Sequence, residues 1–294
     1  MNGIFLLDKP LGISSNLALQ KVRRLFSKIT GNKKLKAGHT GSLDPLATGM
    51  LPICLGEATK FSQYLLDADK TYSVAMQLGV RTTTSDSEGD IVSTRPVPAV
   101  TMDSINRVFD FFRGETQQIP SMFSALKHNG KKLYEYARLG ITIDRPSRPI
   151  TIYELTVLSI ENNRVRFIVK CSKGTYVRTL VDDFGERLGC GAHVTQLRRL
   201  SVAGFPENKM MTLEQLSSAE NPSQFLIPMD ASVSHFPALN ISSDLTLALK
   251  QGKKIQSPDT TTIGLVRLME KGDIFFGIGE VLTDGVLISK RLIV

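Results

Sequence analysis

The sequence predicts an α+β fold with strands and helices mixed: a helix-flanked sheet, a projecting arm, and a small β-rich unit at the end. Three observations predict it. Alternating apolar residues at Tyr72, Val74, Met76 and Leu78 mark a strand with one buried face. Met102, Ile105, Val108, Phe109 and Phe112 recur at helical spacing and mark a helix packed on one side. From about Asp230 the texture changes to short strands and tight turns, the pattern of a separate β-rich unit.

Ile4 to Leu7 reads as a strand closed by the turn Lys9-Pro10-Leu11-Gly12. Ser14 or Ser15 then caps a helix whose Ala18, Val22, Leu25 and Phe26 share one face. Asn32 to Lys36 is a basic, flexible approach to a Gly- and Pro-rich loop, and Leu51 to Gly56 is a short buried strand. A short helix from about Ala58 to Leu66 buries Phe61 and Leu65, and the strand through Tyr72 follows. Thr82 to Asp90 is a polar turn without the acid spacing of a calcium loop. After Pro96 and Pro98 comes the helix of Met102 to Phe112, stopped by Gly114.

Gln118 to Pro149 is rich in Lys and Tyr, turns at Asn129-Gly130 and holds a short helix, Leu133 to Leu139, closed by Gly140. It reads as a projecting hairpin-and-helix arm. Strands follow at Ile150 to Ser159 and Arg164 to Cys171, joined by Asn162-Asn163, then a helix from Thr175 to Leu188 and a strand from Gln196 to Ser201. Gly204 to Lys209 is a linker, and Thr212 with Gln215 forms a capping box. The last unit turns at Gly272-Asp273 and Asp284-Gly285.

A chain of 294 residues accommodates one large domain and one small one, placed at residues 1–230 and 231–294. Of the net charge of +8, the last 64 residues carry only +1, so the basic surface belongs to the large part. Arg164 to Arg178 holds five basic residues and no acid. Such charge suits a polyanion, although it also suits a merely solvated surface. Cys54, Cys171 and Cys190 are too few and scattered for a disulfide framework. Cys190 and His193 have ligand-like spacing but no second pair nearby, so no metal is expected. No signal peptide or membrane span is expected either.

The loop Gly38 to Pro52, GHTGSLDPLATGMLP, presents a single carboxylate, Asp44, directly before Pro45. Proline pushes the preceding residue toward extended geometry, which suits a carboxylate held rigidly as a nucleophile. An Asp before Pro also starts turns by capping a neighbouring N–H, and on spacing alone the turn is the commoner outcome.

This loop resembles the nucleophile loop of the tRNA pseudouridine-55 synthases, the family that isomerises a uridine in the T loop of tRNA. The resemblance continues through Asp8-Lys9-Pro10, Gly56 to Phe61, Lys70-Thr71-Tyr72, Gln118 to Arg138, Cys171 to Leu180 and Leu188 to Leu200, covering nearly the whole chain. It implies the pseudouridine synthase fold, with a mixed, mainly antiparallel central sheet and a small PUA-like RNA-binding domain at the end. It implies Asp44 as nucleophile, with Arg178 as its partner; an Arg within about 4 to 6 Å lowers an Asp pKa by about 1–3 units. Tyr72 would stack on the target base and assist proton removal from C5. His39 would take the place of the flipped base, and Tyr176 and Leu197 would line the substrate pocket. The arm, with Lys127, Lys131, Lys132 and Arg138, would clamp the RNA. Lys9 and Lys60 match family positions as loop-supporting or RNA-contacting residues. The implied partner is the T stem-loop and elbow of tRNA, acted on in the cytoplasm by a monomer without cofactor or metal. A non-catalytic tRNA-folding chaperone is the alternative, and the intact set of Asp44, Tyr72 and Arg178 argues against it.

Overall fold

A computed structural model describes residues 1–270 and 273–293. Strand β1 (Gly3–Lys9) runs antiparallel to β3 (Ala47–Leu55), with helix α1 (Ser15–Thr30) and the short β2 (Ala37–His39) between them. Ser14 caps α1 by accepting the Leu17 N–H. Ser15 turns inward instead: its hydroxyl accepts from Leu43 N–H at 2.7 Å and donates to Leu43 O at 2.8 Å. One serine therefore starts the helix and the next braces the Asp44 loop. The approach at Asn32 to Lys36 is not loose, because Leu35 is buried in the core.

A 3-10 turn (Gly56–Phe61) and α2 (Ser62–Leu66) lead to β4 (Lys70–Leu78). The predicted polar turn joins a small hairpin, β5 (Val80–Thr82) with β6 (Ile91–Thr94). Helix α3 (Met102–Phe112) is capped by Thr101, and its stripe starts at Ile105. Met102 stays 46% exposed, because the capped first turn lies outside the aromatic cluster that buries the rest.

Strand β7 (Gly114–Gln118) precedes the arm, which holds β8 (Lys127–His128), β9 (Lys131–Lys132) and α4 (Leu133–Ala137). Asn129 and Gly130 both take positive φ at the hairpin tip, as the sequence predicts. Strand β10 (Arg148–Glu161) then pairs with β7 and with β11 (Arg164–Cys171), and Asn162 and Asn163 turn between the last two at positive φ. The arm is accordingly shorter than predicted at both ends. Gln118 belongs to the sheet, where its buried amide donates to Tyr176 O at 3.1 Å and accepts from Tyr176 N–H at 2.8 Å. That clasp keeps Tyr176 extended, so α5 (Val177–Arg187) begins two residues later than its apolar pattern suggests.

With β12 (Ala192–Val202), eight described strands form one sheet in the order β1-β3-β12-β4-β11-β10-β7, with β2 beside β3. Every pairing is antiparallel except β3 with β12. The sheet is thus mixed and mainly antiparallel. Helices α1, α3 and α5 cover one face. There Phe109, Phe112, Phe167 and Phe184 meet at centroid distances from 4.8 to 5.8 Å, tying both α3 and α5 to β11. Part of the other face is covered by α2 and by the segment after β12, whose Phe205 is buried, so Gly204 to Lys209 is packed rather than a free linker.

After α6 (Leu213–Ser218), whose capping box is formed as predicted, a second sheet gathers β13 (Ala238–Asn240), β14 (Ile255–Gln256), β15 (Gly264–Glu270), β16 (Ile274–Val281) and β17 (Val286–Leu292). Helix α7 (Ser243–Lys250) closes a core of Leu239, Leu249, Val266, Leu268, Phe276 and Leu287. Of the turns predicted here, Asp284-Gly285 is present, whereas Gly272 lies outside the described residues. The two sheets meet through a buried junction: Phe61 lies 5.2 Å from Phe275, beside Val233 and Ile278. No described helix is long and apolar enough to cross a membrane.

Phe184 contacts three other rings of the core, so Phe184→Ala is expected to cost about 3–5 kcal/mol of stability. Urea unfolding measures this, and a loss below about 1 kcal/mol would show that the cluster does not hold the helices to the sheet.

Candidate active site

The loop that carries Asp44 is fixed by its backbone. Thr40 N–H bonds Pro52 O, Gly12 N–H bonds Pro45 O, and Ala47 N–H bonds Asp44 O at 3.0 Å. A turn does form at Asp44, but main-chain atoms make it, and the carboxylate is left for another partner. Gly49 takes φ +95° where β3 meets β12; a Cβ there would come within 2.2 Å of Arg199 O. The Arg199 side chain then binds both flanks of the loop, donating to Met50 O at 2.6 Å and to Gly41 O at 3.0 Å.

The partner of Asp44 is Arg178, in the first turn of α5, with Nε 2.9 Å from Asp44 Oδ2. Its Nη1 donates to Asp86 Oδ2 at 3.2 Å and to Thr84 O at 2.9 Å, and its Nη2 to Phe123 O at 2.9 Å. One guanidinium thus joins the loop, the β5–β6 hairpin and the root of the arm. Asp86, 2% exposed, also accepts from Glu88 N–H at 3.0 Å. Asp86 carries no signal in the sequence, because its segment has the composition of an ordinary polar turn and nothing local couples it to a residue 92 positions away.

Asp44 and Arg178 open onto a cavity of about 390 Å³, lined also by Tyr72, Tyr176, Leu197 and Arg199. Tyr72 and Leu197 are nearly buried in the wall. The Arg148 guanidinium lies 4.8 Å from the Tyr176 ring centroid. Phe123 to Leu126 of the arm close one side. A larger cleft, about 530 Å³, lies between Asp69, Lys170 and His235 and holds none of the predicted site residues.

The cavity thus gathers Asp44, Arg178, Tyr72, Tyr176 and Leu197 from distant parts of the sequence. His39 lies outside its lining, half-buried in β2, with Nδ1 buried and unpartnered. Burial and then the Arg199 charge hold the His39 pKa below its usual value. The two lysines expected to support the loop or contact RNA, Lys9 and Lys60, both bond main-chain carbonyls. Lys9 is 0% exposed, and its Nζ donates to Pro10 O and Ile13 O, so it braces the turn beside the loop. Lys60, with a quarter of its side chain exposed, pairs with Glu57 and donates to Leu292 O at 3.0 Å, at the junction between the sheets. Lys127 is exposed on the arm. Lys131 lies over Tyr136, and Lys132 and Arg138 lie over Tyr134. His193 turns Nδ1 to Val80 O at 2.9 Å, while Cys190, like Cys54 and Cys171, is a buried free thiol.

The electrostatics differ from expectation in sign. The Asp44 pKa is raised: burial outweighs the opposing pull of Arg178, and the Asp86 charge adds to the rise. The Asp44 side chain is 42% exposed through the cavity mouth, so water there tempers the shift. Arg178 still favours the carboxylate, but it is shared between two acids.

Comparison with known proteins matches the chain to three family models. These are the TruB family pseudouridylate synthase N-terminal domain over residues 24–177, the tRNA pseudouridylate synthase B C-terminal domain over 178–234, and the pseudouridine synthase II TruB C-terminal model over 237–293. The chain is 52% identical over 299 residues to the tRNA pseudouridine synthase B of Coxiella burnetii (strain RSA 493 / Nine Mile phase I), covering 100% of this chain and 95% of that protein. It is 52% identical over 307 residues to the protein of that name from Yersinia pestis (strain Pestoides F), covering 100% and 93%. Among solved structures, a Cbf5-Nop10-Gar1 complex matches with TM-score 0.74 and 28% identity over 99% of this chain and 84% of the other. An H/ACA RNP bound to a substrate RNA containing 2'-deoxyuridine matches with TM-score 0.72 and 26% identity over 99% and 85%.

The charges around Asp44 fix the direction of two shifts. Asp86→Asn removes a repulsion and is expected to lower the Asp44 pKa, whereas Arg178→Met removes an attraction and is expected to raise it. Carboxyl-carbon NMR titration of Asp44 reads both, and movement in the opposite sense in either variant would show that the shared guanidinium does not set this acid.

Proposed function

The chain belongs to the TruB family of pseudouridylate synthases, and from that premise we propose that it isomerises uridine 55 in the T loop of tRNA to pseudouridine. The observation that carries this reading is the Asp44–Arg178–Asp86 clasp, which aims one carboxylate into a cavity floored by Tyr72.

The reaction breaks the C1′–N1 bond, turns the base and joins C5 to C1′. Nothing is added or removed, so the chemistry requires no cofactor. The target uridine leaves its stack at a cost of a few kcal/mol, offset by contacts with Tyr72, Leu197 and Tyr176 in the pocket. His39 helps fill the place the base vacates. Asp44 meets the electron deficiency at C1′ as the base departs, with Arg178 holding its carboxylate ionised and in line. After the base turns, C5 bonds C1′, the C5 proton is lost with the help of Tyr72, and N1 takes up a proton. Closure of the arm over the cavity keeps water from the sugar centre.

On this reading residues 1–230 form the synthase domain and residues 231–294 a PUA-like RNA-binding domain. The arm, through Lys127, Lys131, Lys132 and Arg138, contacts phosphates of the T stem-loop, and the protein acts as a monomer in the cytoplasm.

The test incubates purified protein, EDTA and an unmodified T-arm stem-loop RNA, and maps pseudouridine by carbodiimide labelling and primer extension. A single stop at the T-loop uridine is expected. Asp44→Asn is expected to abolish it while leaving RNA affinity nearly unchanged. Turnover by Asp44→Asn at the normal rate would sink the assignment of the nucleophile, and binding without conversion by the unsubstituted protein would point to a folding chaperone.

A further inference from the structure

Two positive charges lie in the wall of the cavity with no negative partner. Arg199 is 1% exposed, and its guanidinium bonds the carbonyls of Met50 and Gly41 and the Tyr72 hydroxyl. Lys70 is 8% exposed, and its Nζ donates to the carbonyls of Leu65, Leu66 and Ala68 at the end of α2. Among the described residues neither has a carboxylate within the 4.0 Å of an ion pair. The acids nearby are otherwise engaged: Asp44 with Arg178, Asp67 with Lys173, and Asp69 with the Tyr153 hydroxyl.

A buried charge without a counter-ion costs several kcal/mol, only partly offset by carbonyl dipoles. Burial, and then the neighbouring Arg199, push the Lys70 pKa down to about 8, which leaves it charged at neutral pH. Yet both residues line the reaction cavity and converge there. Lys70 and Tyr72 point to the same face of β4, and Arg199 is the cross-strand partner of Tyr72. A Cβ placed on Gly41 would lie 3.5 Å from Arg199 Nη1 and 3.9 Å from Lys70 Cε. The wall beside Tyr72 is therefore a preformed site for negative charge.

The proposed isomerisation generates one. When the C1′–N1 bond breaks, its electron pair stays on N1 and spreads to O2 and O4 of the ring, while Asp44 supplies the pair that meets C1′. The turned ring returns its pair through C5 to C1′; C5 then loses its proton and N1 gains one, so the isomerisation balances. We propose that Lys70 and Arg199 form a cationic wall that stabilises the detached uracil anion. This rests on the synthase reading given above. Fixed charges aimed at charge that exists only during reaction raise kcat without tightening substrate binding.

The test is Lys70→Gln, whose amide still donates to the α2 carbonyls but carries no charge. Folding is checked by circular dichroism and T-arm affinity. On the uridine stem-loop, kcat is expected to fall about 100-fold with KM unchanged. On a stem-loop with 5-fluorouridine at the target, whose ring anion needs less help, the single-turnover loss of rearrangement is expected to be smaller. Lys70→Arg restores much of the rate. Arg199→Gln and Arg199→Lys give the same comparison from the second cation, should Lys70→Gln not fold. An equal loss on both RNAs would mean a structural role and overturn the inference, as would an unchanged kcat. No product from the unsubstituted protein overturns the synthase reading and this inference together, whereas product made equally well by Lys70→Gln overturns this inference alone.

Discussion

The guanidinium of Arg178 is the interaction on which the rest of the site depends. It holds Asp44 and Asp86 at once and takes up the carbonyls of Thr84 and Phe123 besides. A lysine has a single charged nitrogen and could not bridge these four acceptors in one plane. The helix that carries Arg178 is anchored by Phe184 in the aromatic core, so the position of the carboxylate is referred back to the main hydrophobic core. The arm shares that anchor through Phe123, which ties the arm and the Asp44 loop to one residue.

The second constraint is the seam between β3 and β12, the one parallel pairing of the large sheet. It brings Arg199 against Gly49 so closely that no side chain fits at that glycine. Strand β12 therefore supplies three things to the site in a few residues: Leu197 to the pocket, Arg198 to Asp8 at 2.9 Å, and Arg199 to the loop carbonyls. Asp44 and Asp86 both lean on Arg178, while Lys70 and Arg199 have no carboxylate within ion-pair distance among the described residues.

Much of this fold was legible in the sequence because the signals are local. The alternation through Tyr72, the stripe from Ile105 to Phe112, the Asn162-Asn163 turn and the Thr212–Gln215 box all depend on neighbours within a few positions, and each is realised. The loop around Asp44 stood out for the same reason, as glycine, proline and a lone acid concentrated in one stretch. What stayed hidden depends on distance. Asp86 acquires meaning only from Arg178, and Lys70 and Arg199 only from the shape of the cavity they enter. For Lys9 the choice between supporting the loop and contacting RNA also needed the fold. A lysine in a turn reads as solvated, but here the carbonyls of Pro10 and Ile13 form a cage that buries it. The sign of the Asp44 shift was equally beyond reach, since it turns on how far burial outweighs a single ion pair.

The long separation between the loop and its clasp bears on how the protein is made. Arg199 lies 149 residues after Met50 and 158 after Gly41, and Arg178 also comes late in the chain. Synthesis proceeds from the N-terminus at about 5–20 residues per second. For an interval on the ribosome the emerging chain therefore displays Asp44 with neither guanidinium to hold its loop nor the β12 strand to seat it. A stalled or prematurely terminated product ending before β12 would carry the most distinctive stretch of the sequence and no working site at all. The topology thus acts as a check on completion: the last strand of the large sheet is also the one that seats the loop.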